Sequence, residues 1–218
     1  MLERLATSIA AVRRDHPVRV AIDGVDGAGK TILADELAPR LAALGRQVIR
    51  ASVDSFLRPR AERYRRAPDS PEGYYLDSHD LSAVRDALLR PLGPGGDRHY
   101  RVATFDEHRD TAIDSPIEAA AVEGILLFDG IFAQRPELAE CFDYRIFVAV
   151  DPAEAARRER QRAQASGAPV EQAMTRYQRR YEPGQRLYLN SVHPELSADA
   201  VVENSDPQAP KLTFRASG

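Results

Sequence analysis

The chain has 218 residues, 43% of them hydrophobic, which suits one globular domain with a substantial core. Its 30 basic and 33 acidic residues leave a net charge of -3, so bulk electrostatics recommends neither nucleic acid nor an anionic membrane as a partner, and any binding of anions must be local. A single cysteine, Cys141, excludes an intrachain disulfide and a thiolate metal cluster and suits a reducing compartment.

Residues 1–15 mix Glu3, Arg4, Arg13 and Arg14 into an amphipathic helical pattern that lacks the apolar centre of a signal peptide. No apolar run reaches membrane-spanning length, and the expectation is a cytoplasmic protein with neither membrane nor nucleic acid as partner. The run 18–23 is β-branched and reads as a buried strand. It leads into Gly24, Val25, Asp26, Gly27, Ala28, Gly29, Lys30 and Thr31, which spell G-x-x-x-x-G-K-[ST]. Glycines at this spacing let the backbone wrap until successive N–H groups point at an anion, and the following helix turns its positive end toward the same place. Lys30 would reach the β and γ phosphates of a nucleotide, and the Thr31 hydroxyl would hold magnesium. Residues 32–44 carry apolar side chains at helical spacing, completing strand, loop and helix. In a chain whose positive charge is almost all arginine, the only lysines are Lys30 and Lys211.

Gly45 ends that helix, and 47–53 reads as a second strand leading to Asp54. Ligands of open parallel sheets bind beyond the carboxyl ends of the strands, so a carboxylate there faces the phosphates. It would accept a proton from an attacking hydroxyl or organise magnesium through water; the competing reading has it cap the turn at 55–57. Residues 58–73 are rich in Arg and Pro and read as an exposed loop, its arginines a solvated face. Asp80 starts a helix over 81–89 that Pro91 and the Pro94-Gly95-Gly96 turn terminate. The runs 100–105 and 111–117, separated by a charged tip at 106–110, predict a β-hairpin standing off the main sheet.

The almost unbroken apolar run 121–128 suits a strand buried on both faces and ends in Asp129-Gly130, where an acidic residue would hold the water shell of magnesium. Residues 144–150 and 199–203 supply further strands. Between them, after Asp151-Pro152, lies a long helical stretch bearing Arg157, Arg158, Arg160 and Arg162, which would fold over a nucleotide as a lid. Strands alternating with helices give a three-layer α/β sandwich with right-handed crossovers. The organisation expected is one domain over 1–218, with an accessory hairpin at about 98–118 and the lid at about 153–190.

Over nearly its whole length the chain resembles the uridine kinase branch of the P-loop kinases, which includes phosphoribulokinase-like and type I pantothenate kinase-like enzymes. The residues that carry the resemblance are the 24–31 loop; Asp54-Ser55-Phe56, similar to Asp-Ser-Phe-Tyr; Phe128-Asp129-Gly130-Ile131-Phe132, similar to Glu-Gly-Ile; Arg157-Arg158; and the segments 170–177 and 197–202. The resemblance implies an α/β three-layer P-loop NTPase fold with a mostly parallel sheet. It also implies ATP and Mg2+ as cofactors and a small-molecule acceptor hydroxyl, nucleoside-like in the manner of uridine or cytidine. Lys30, Asp54, Arg158 and Arg162 would be catalytic, with Asp54 the general base. Gly24, Asp26, Gly27, Ala28, Gly29, Lys30 and Thr31 would bind the nucleotide, and Thr31 and Asp129 the metal. Asp54, Tyr74, Tyr100, His108 and Arg109 would meet the acceptor, and a homo-oligomer would be in keeping with the family.

The chain departs from the family at defined places. Uridine kinases carry Phe-Asp-His-Pro-Asp-Ala-Phe-Asp, whose first Asp grips the ribose hydroxyls; laying residues 77–80 on its last four puts Tyr74 at that Asp. The hairpin tip is shorter, and Ser166-Gly167-Ala168-Pro169 lacks the arginines usual after the lid glycine. Two alternatives stand beside this reading. Asp26 within the loop is also what thymidylate kinases show, which would make the acceptor a nucleoside monophosphate; and a non-catalytic nucleotide-binding regulatory module would share the loop.

Overall fold

A computed structural model describes residues 1–215. The expected apolar runs form the central sheet with their ends trimmed: β1 (Val18–Asp23), β2 (Val48–Ser52), β3 (Ile125–Asp129), β4 (Tyr144–Ala149) and β5 (Ala200–Glu203). A sixth strand, β6 (Lys211–Phe214), has no counterpart in the sequence reading; it is short and mostly exposed, so it lacks the apolar run by which the others are recognised. The spatial order is β6-β5-β4-β1-β3-β2, with every neighbouring pair parallel except β5 and β6.

Alternating side chains build the layers. Val20, Ile22, Leu127, Ile146 and Val148 point to one face, where α1 (Leu2–Ala11) and α2 (Lys30–Ala43) supply Leu5, Ile9, Leu33, Leu37 and Leu41. Ala21, Ile49, Leu126 and Phe128 point to the other, where they meet Phe56, Val84, Leu88, Leu89 and Phe142. A sheet covered on both faces explains why β1 and β3 are buried at every position. Each fully buried Leu or Phe contributes about 2 kcal/mol relative to exposure.

Segment 58–73 is more ordered than its composition suggests. It holds a helical turn at Arg60–Arg63 and the start of α3 (Pro71–Asp77), where the Ser70 hydroxyl accepts from Gly73 N–H at 3.0 Å and Pro71 fits the first turn. Its arginines are mostly engaged: Arg65 and Arg66 hold Asp77 at 2.7 Å each, and Arg63 lies 3.3 Å from Asp110. The helix after Asp80 is α4 (Leu81–Val84), which widens into a π turn over Arg85–Leu89. The hairpin pairs only His99–Tyr100 with Glu118–Ala119 and Phe105–Asp106 with Thr111–Ala112. The ladder lapses between, where Pro116 has no N–H to donate. The lid stretch consists of α5 (Pro152–Ala165), α6 (Val170–Arg176), a π turn over Tyr177–Tyr181, and α7 (Glu182–Val192). Asp151 caps α5 by accepting from Ala153 N–H at 2.8 Å. Among the described residues no helix is long and apolar enough to cross a membrane.

Candidate active site

Parallel strands end together, and the loops that follow them share one edge. Ile22 and Ser52 are both in register with Asp129, so the ends of β1, β2 and β3 lie side by side. A cavity of about 850 Å³ opens there, and Asp26, Gly27, Gly29, Lys30 and Thr31 of the loop line it. Gly24 and Ala28 stand behind the wall. At φ 153° Gly24 passes so close to β4 that an added Cβ would lie 2.5 Å from the Val148 carbonyl oxygen, which only glycine allows.

The Lys30 ammonium donates to the Val25 carbonyl at 2.8 Å, folding back over the loop it serves. The Thr31 hydroxyl donates to Asp129 Oδ2 at 2.7 Å, and Arg50 donates to Asp129 Oδ1 at 3.0 Å while also holding Asp35. A hydroxyl beside a carboxylate is a hard oxygen donor set and fits magnesium. No group of three or more His, Cys, Asp or Glu ligands exists among the described residues.

Asp54 sits in the 3-10 turn Val53–Phe56 that follows β2. The cap of that turn is Ser52, whose hydroxyl accepts from Asp54 N–H, so the Asp54 carboxylate is left to the cavity. Two backbone bonds, Arg58 N–H to Ser78 and Asp80 N–H to Phe56, bind this turn to residues 78–80. They bring the buried His79 ring to 3.7 Å from Asp54 Oδ1. Recession into the cavity favours the protonated acid, but His79, Lys30 and Arg162 outweigh it and hold the Asp54 carboxyl below the ordinary carboxylate value.

The two lid arginines differ. Arg158 donates to the carbonyls of Gly27 at 3.0 Å, Asn204 at 2.6 Å and Ser205 at 3.1 Å, and pairs with Glu154 at 2.7 Å. Arg162 lines the cavity with its side chain 79% exposed, its nearest carboxylate Glu159 at 3.9 Å. Asn204, absent from the sequence reading, donates to the Ala28 carbonyl at 2.7 Å and closes the loop from the β5 side.

Of the residues expected around an acceptor, the structure brings Asp54 and Tyr74 to the cavity. Tyr100 is instead buried in the core beside Val84 and Leu88, its hydroxyl donating to Glu118 at 3.2 Å. Its side chain points inward, against the sheet layer. His108 and Arg109 sit exposed at the hairpin tip and off the cavity wall, because the tip turns down onto Arg60 and Arg63 and presents Glu107 to the cavity. Asp26 is half-buried and is held by the Tyr74 hydroxyl at 2.9 Å and Gln185 Nε2 at 2.7 Å.

Asp23, at the end of β1, is wholly buried and had no sequence signal of its own. It accepts from Gly24 N–H at 2.7 Å, from Gln134 Nε2 at 3.3 Å and from the Tyr188 hydroxyl. Burial pushes its carboxyl up to about 6 against the opposing effect of those bonds and of Lys30. An acid whose native value lies above its unfolded one carries an extra proton in the fold between about pH 4 and 6. Its contribution to stability therefore falls as pH rises through that window and is level above it. Asp23→Asn removes the titration, so the stability difference, wild type minus variant, should become more negative by roughly 2 kcal/mol from pH 4 to pH 7 in urea unfolding. A pH-independent difference would place the Asp23 charge outside the buried site.

No family model matches the chain. Over 137 residues it is 30% identical to uridine-cytidine kinase B of Dictyostelium discoideum, a match covering 62% of this chain and 54% of that protein. The chain thus spans about half the length of that curated relative. A protein described as a possible uridine kinase from Bacillus stearothermophilus superposes with a TM-score of 0.71 at 23% identity, covering 92% of this chain and 96% of the other. One provisionally described as a fructose transport system kinase, from Silicibacter sp. TM1040, gives a TM-score of 0.71 at 23% identity, covering 87% and 94%. At that identity the two solved structures speak for the fold alone.

Proposed function

We propose that this chain, which is similar over part of its length to uridine kinases, transfers the γ-phosphoryl group of ATP to a hydroxyl of a small acceptor, nucleoside-like in the first instance. One observation carries this reading: Lys30, Thr31 and Asp129 on one side, and Asp54 with His79 on the other, open onto a single cavity. A hydrolytic switch has no use for a second carboxylate kept ionised beside the phosphate loop, whereas an acceptor hydroxyl needs one to orient it and take its proton.

In this reading the loop N–H groups and Lys30 hold the transferring phosphoryl group, and Arg162 meets the charge that develops on it. Asp54 hydrogen-bonds the attacking hydroxyl, with His79 fixing the carboxylate from behind. Thr31 and Asp129 would hold magnesium, which neutralises and orients phosphate oxygens when bound. The name of the Dictyostelium relative puts uridine and cytidine first among acceptors to try. The test is ADP production from Mg·ATP against uridine, cytidine, other nucleosides, dTMP, pantothenate and ribulose 5-phosphate. We expect at least tenfold acceleration by one hydroxyl compound, of the order a positioned base supplies. Steady hydrolysis indifferent to every acceptor would overturn the transfer reading in favour of a nucleotide-binding module.

A further inference from the structure

Resting on that reading of the cavity as a transfer site, we propose that Asp26 is an acceptor-binding carboxylate and that the acceptor is a polyhydroxy compound, one hydroxyl facing Asp54 and a second donating to Asp26 Oδ1. The Tyr74 hydroxyl and Gln185 Nε2 both donate to the same oxygen, Oδ2, at 2.9 and 2.7 Å. Among the described residues no hydrogen bond reaches Oδ1. A carboxylate offers about four acceptor positions, so this arrangement uses one oxygen as an anchor and leaves the other to whatever enters the cavity.

The anchor is rigid. Tyr74 is on α3 and Gln185 on α7, and these helices touch so closely that a Cβ on Gly184 would lie 2.9 Å from the Tyr74 ring. Phe132 and Tyr181 pack on that ring at centroid distances of 5.1 and 4.7 Å. Burial, with the charges of Asp26 and Asp54 nearby, raises the Tyr74 phenol well above its ordinary value, so it remains a neutral donor. Asp26, Asp54 and Tyr74 all line the same cavity.

An oxygen held in place and lacking a donor selects for a ligand that brings one. A site built to accept from a hydroxyl rejects the analogue without it, because the acceptor, covered by the bound ligand, is then left unpaired. Although Lys30 and several arginines also line the cavity, an anionic group placed against Asp26 would meet that carboxylate, with Asp54 and Glu159 on the same cavity wall. The chemistry favours a neutral donor such as the second hydroxyl of a sugar or of a ribose.

The experiment compares acceptors in pairs that differ by one hydroxyl: uridine with 2′- and 3′-deoxyuridine, D-ribose with 2-deoxy-D-ribose, and D-glycerate with 3-hydroxypropionate. ADP formation is followed with the wild type and with Asp26→Ala. In the wild type, the polyhydroxy member of the accepted pair should be preferred by about 30-fold in kcat/KM, and in Asp26→Ala by less than about threefold, with the loss mainly in acceptor KM. Tyr74→Phe keeps the charge but releases the anchor; it should weaken the preference several-fold, and it decides the matter if Asp26→Ala does not fold. An undiminished preference in the variants removes Asp26 from acceptor binding while leaving transfer intact. No response of ADP formation to any pair removes transfer, and the assignment with it.

Discussion

Lys30→Ala is expected to lower kcat/KM for ATP-dependent transfer by about a thousandfold, the scale on which single cations act in phosphoryl transfer. The transferring group spreads negative charge over three oxygens, and the catalyst contributes positioning and opposite charge rather than covalent chemistry. Lys30 is the only cation within the phosphate loop, and its ammonium already lies over the loop, donating to Val25. Lys30→Arg is not expected to restore activity, because a planar fork cannot occupy the place of a compact point charge among converging N–H groups. Steady-state kinetics on both variants, with far-UV circular dichroism to verify that α2 persists, is the check. A loss below tenfold would take the ammonium out of the transfer step.

Asp54→Asn should cost less, about a hundredfold in kcat, since a loose transition state asks little of the base until late. Its pH profile carries more information than its magnitude. Partial desolvation at the cavity wall acts to raise the Asp54 carboxyl, but His79, Lys30 and Arg162 hold it down, so the proposed base is ionised throughout the neutral range. The wild-type rate should then fall only as pH drops through that lowered native value, with no base titration between pH 6 and 8. Replacing His79 by Gln removes the largest of the opposing influences and should move the acid limb to higher pH. Equal losses in kcat for Lys30→Ala and Asp54→Asn would mean that proton removal is more demanding than a loose transition state implies.

The chemistry legible in the sequence was the chemistry written in short segments. The 24–31 loop, Asp54 at the end of β2 and Asp129 at the end of β3 each announce themselves by a strand and a few following residues. What stayed hidden depends on chain segments meeting from far apart. Gln185 and Tyr74 reach Asp26 across 159 and 48 residues, and Asn204 reaches Ala28 across 176. None of the three sits in a pattern that marks it as a partner. The acceptor residues suffered for a related reason: a two-residue ladder has too little periodicity to say which way Tyr100 points, and the direction of the hairpin tip is fixed by Arg60 and Arg63 rather than by the tip itself. Helix α3 was concealed by the arginines and prolines before it, although Ser70-Pro71 is a start signal that composition outweighed.

The bonds of Arg158 bear on how far the arginine helix can travel. With its guanidinium shared among carbonyls on either side of the nucleotide end, the first two turns of α5 belong to the floor of the cavity. Arg162 lies one turn, about 6 Å, beyond that fixed point. A lever so short sweeps only a small arc while the helix stays intact, so Arg162, the cation proposed to meet the transferring group, would keep its place at the cavity wall before any substrate arrives. Any closure over the cavity would then fall to the chain beyond Ser166, apart from the residues that hold the charge.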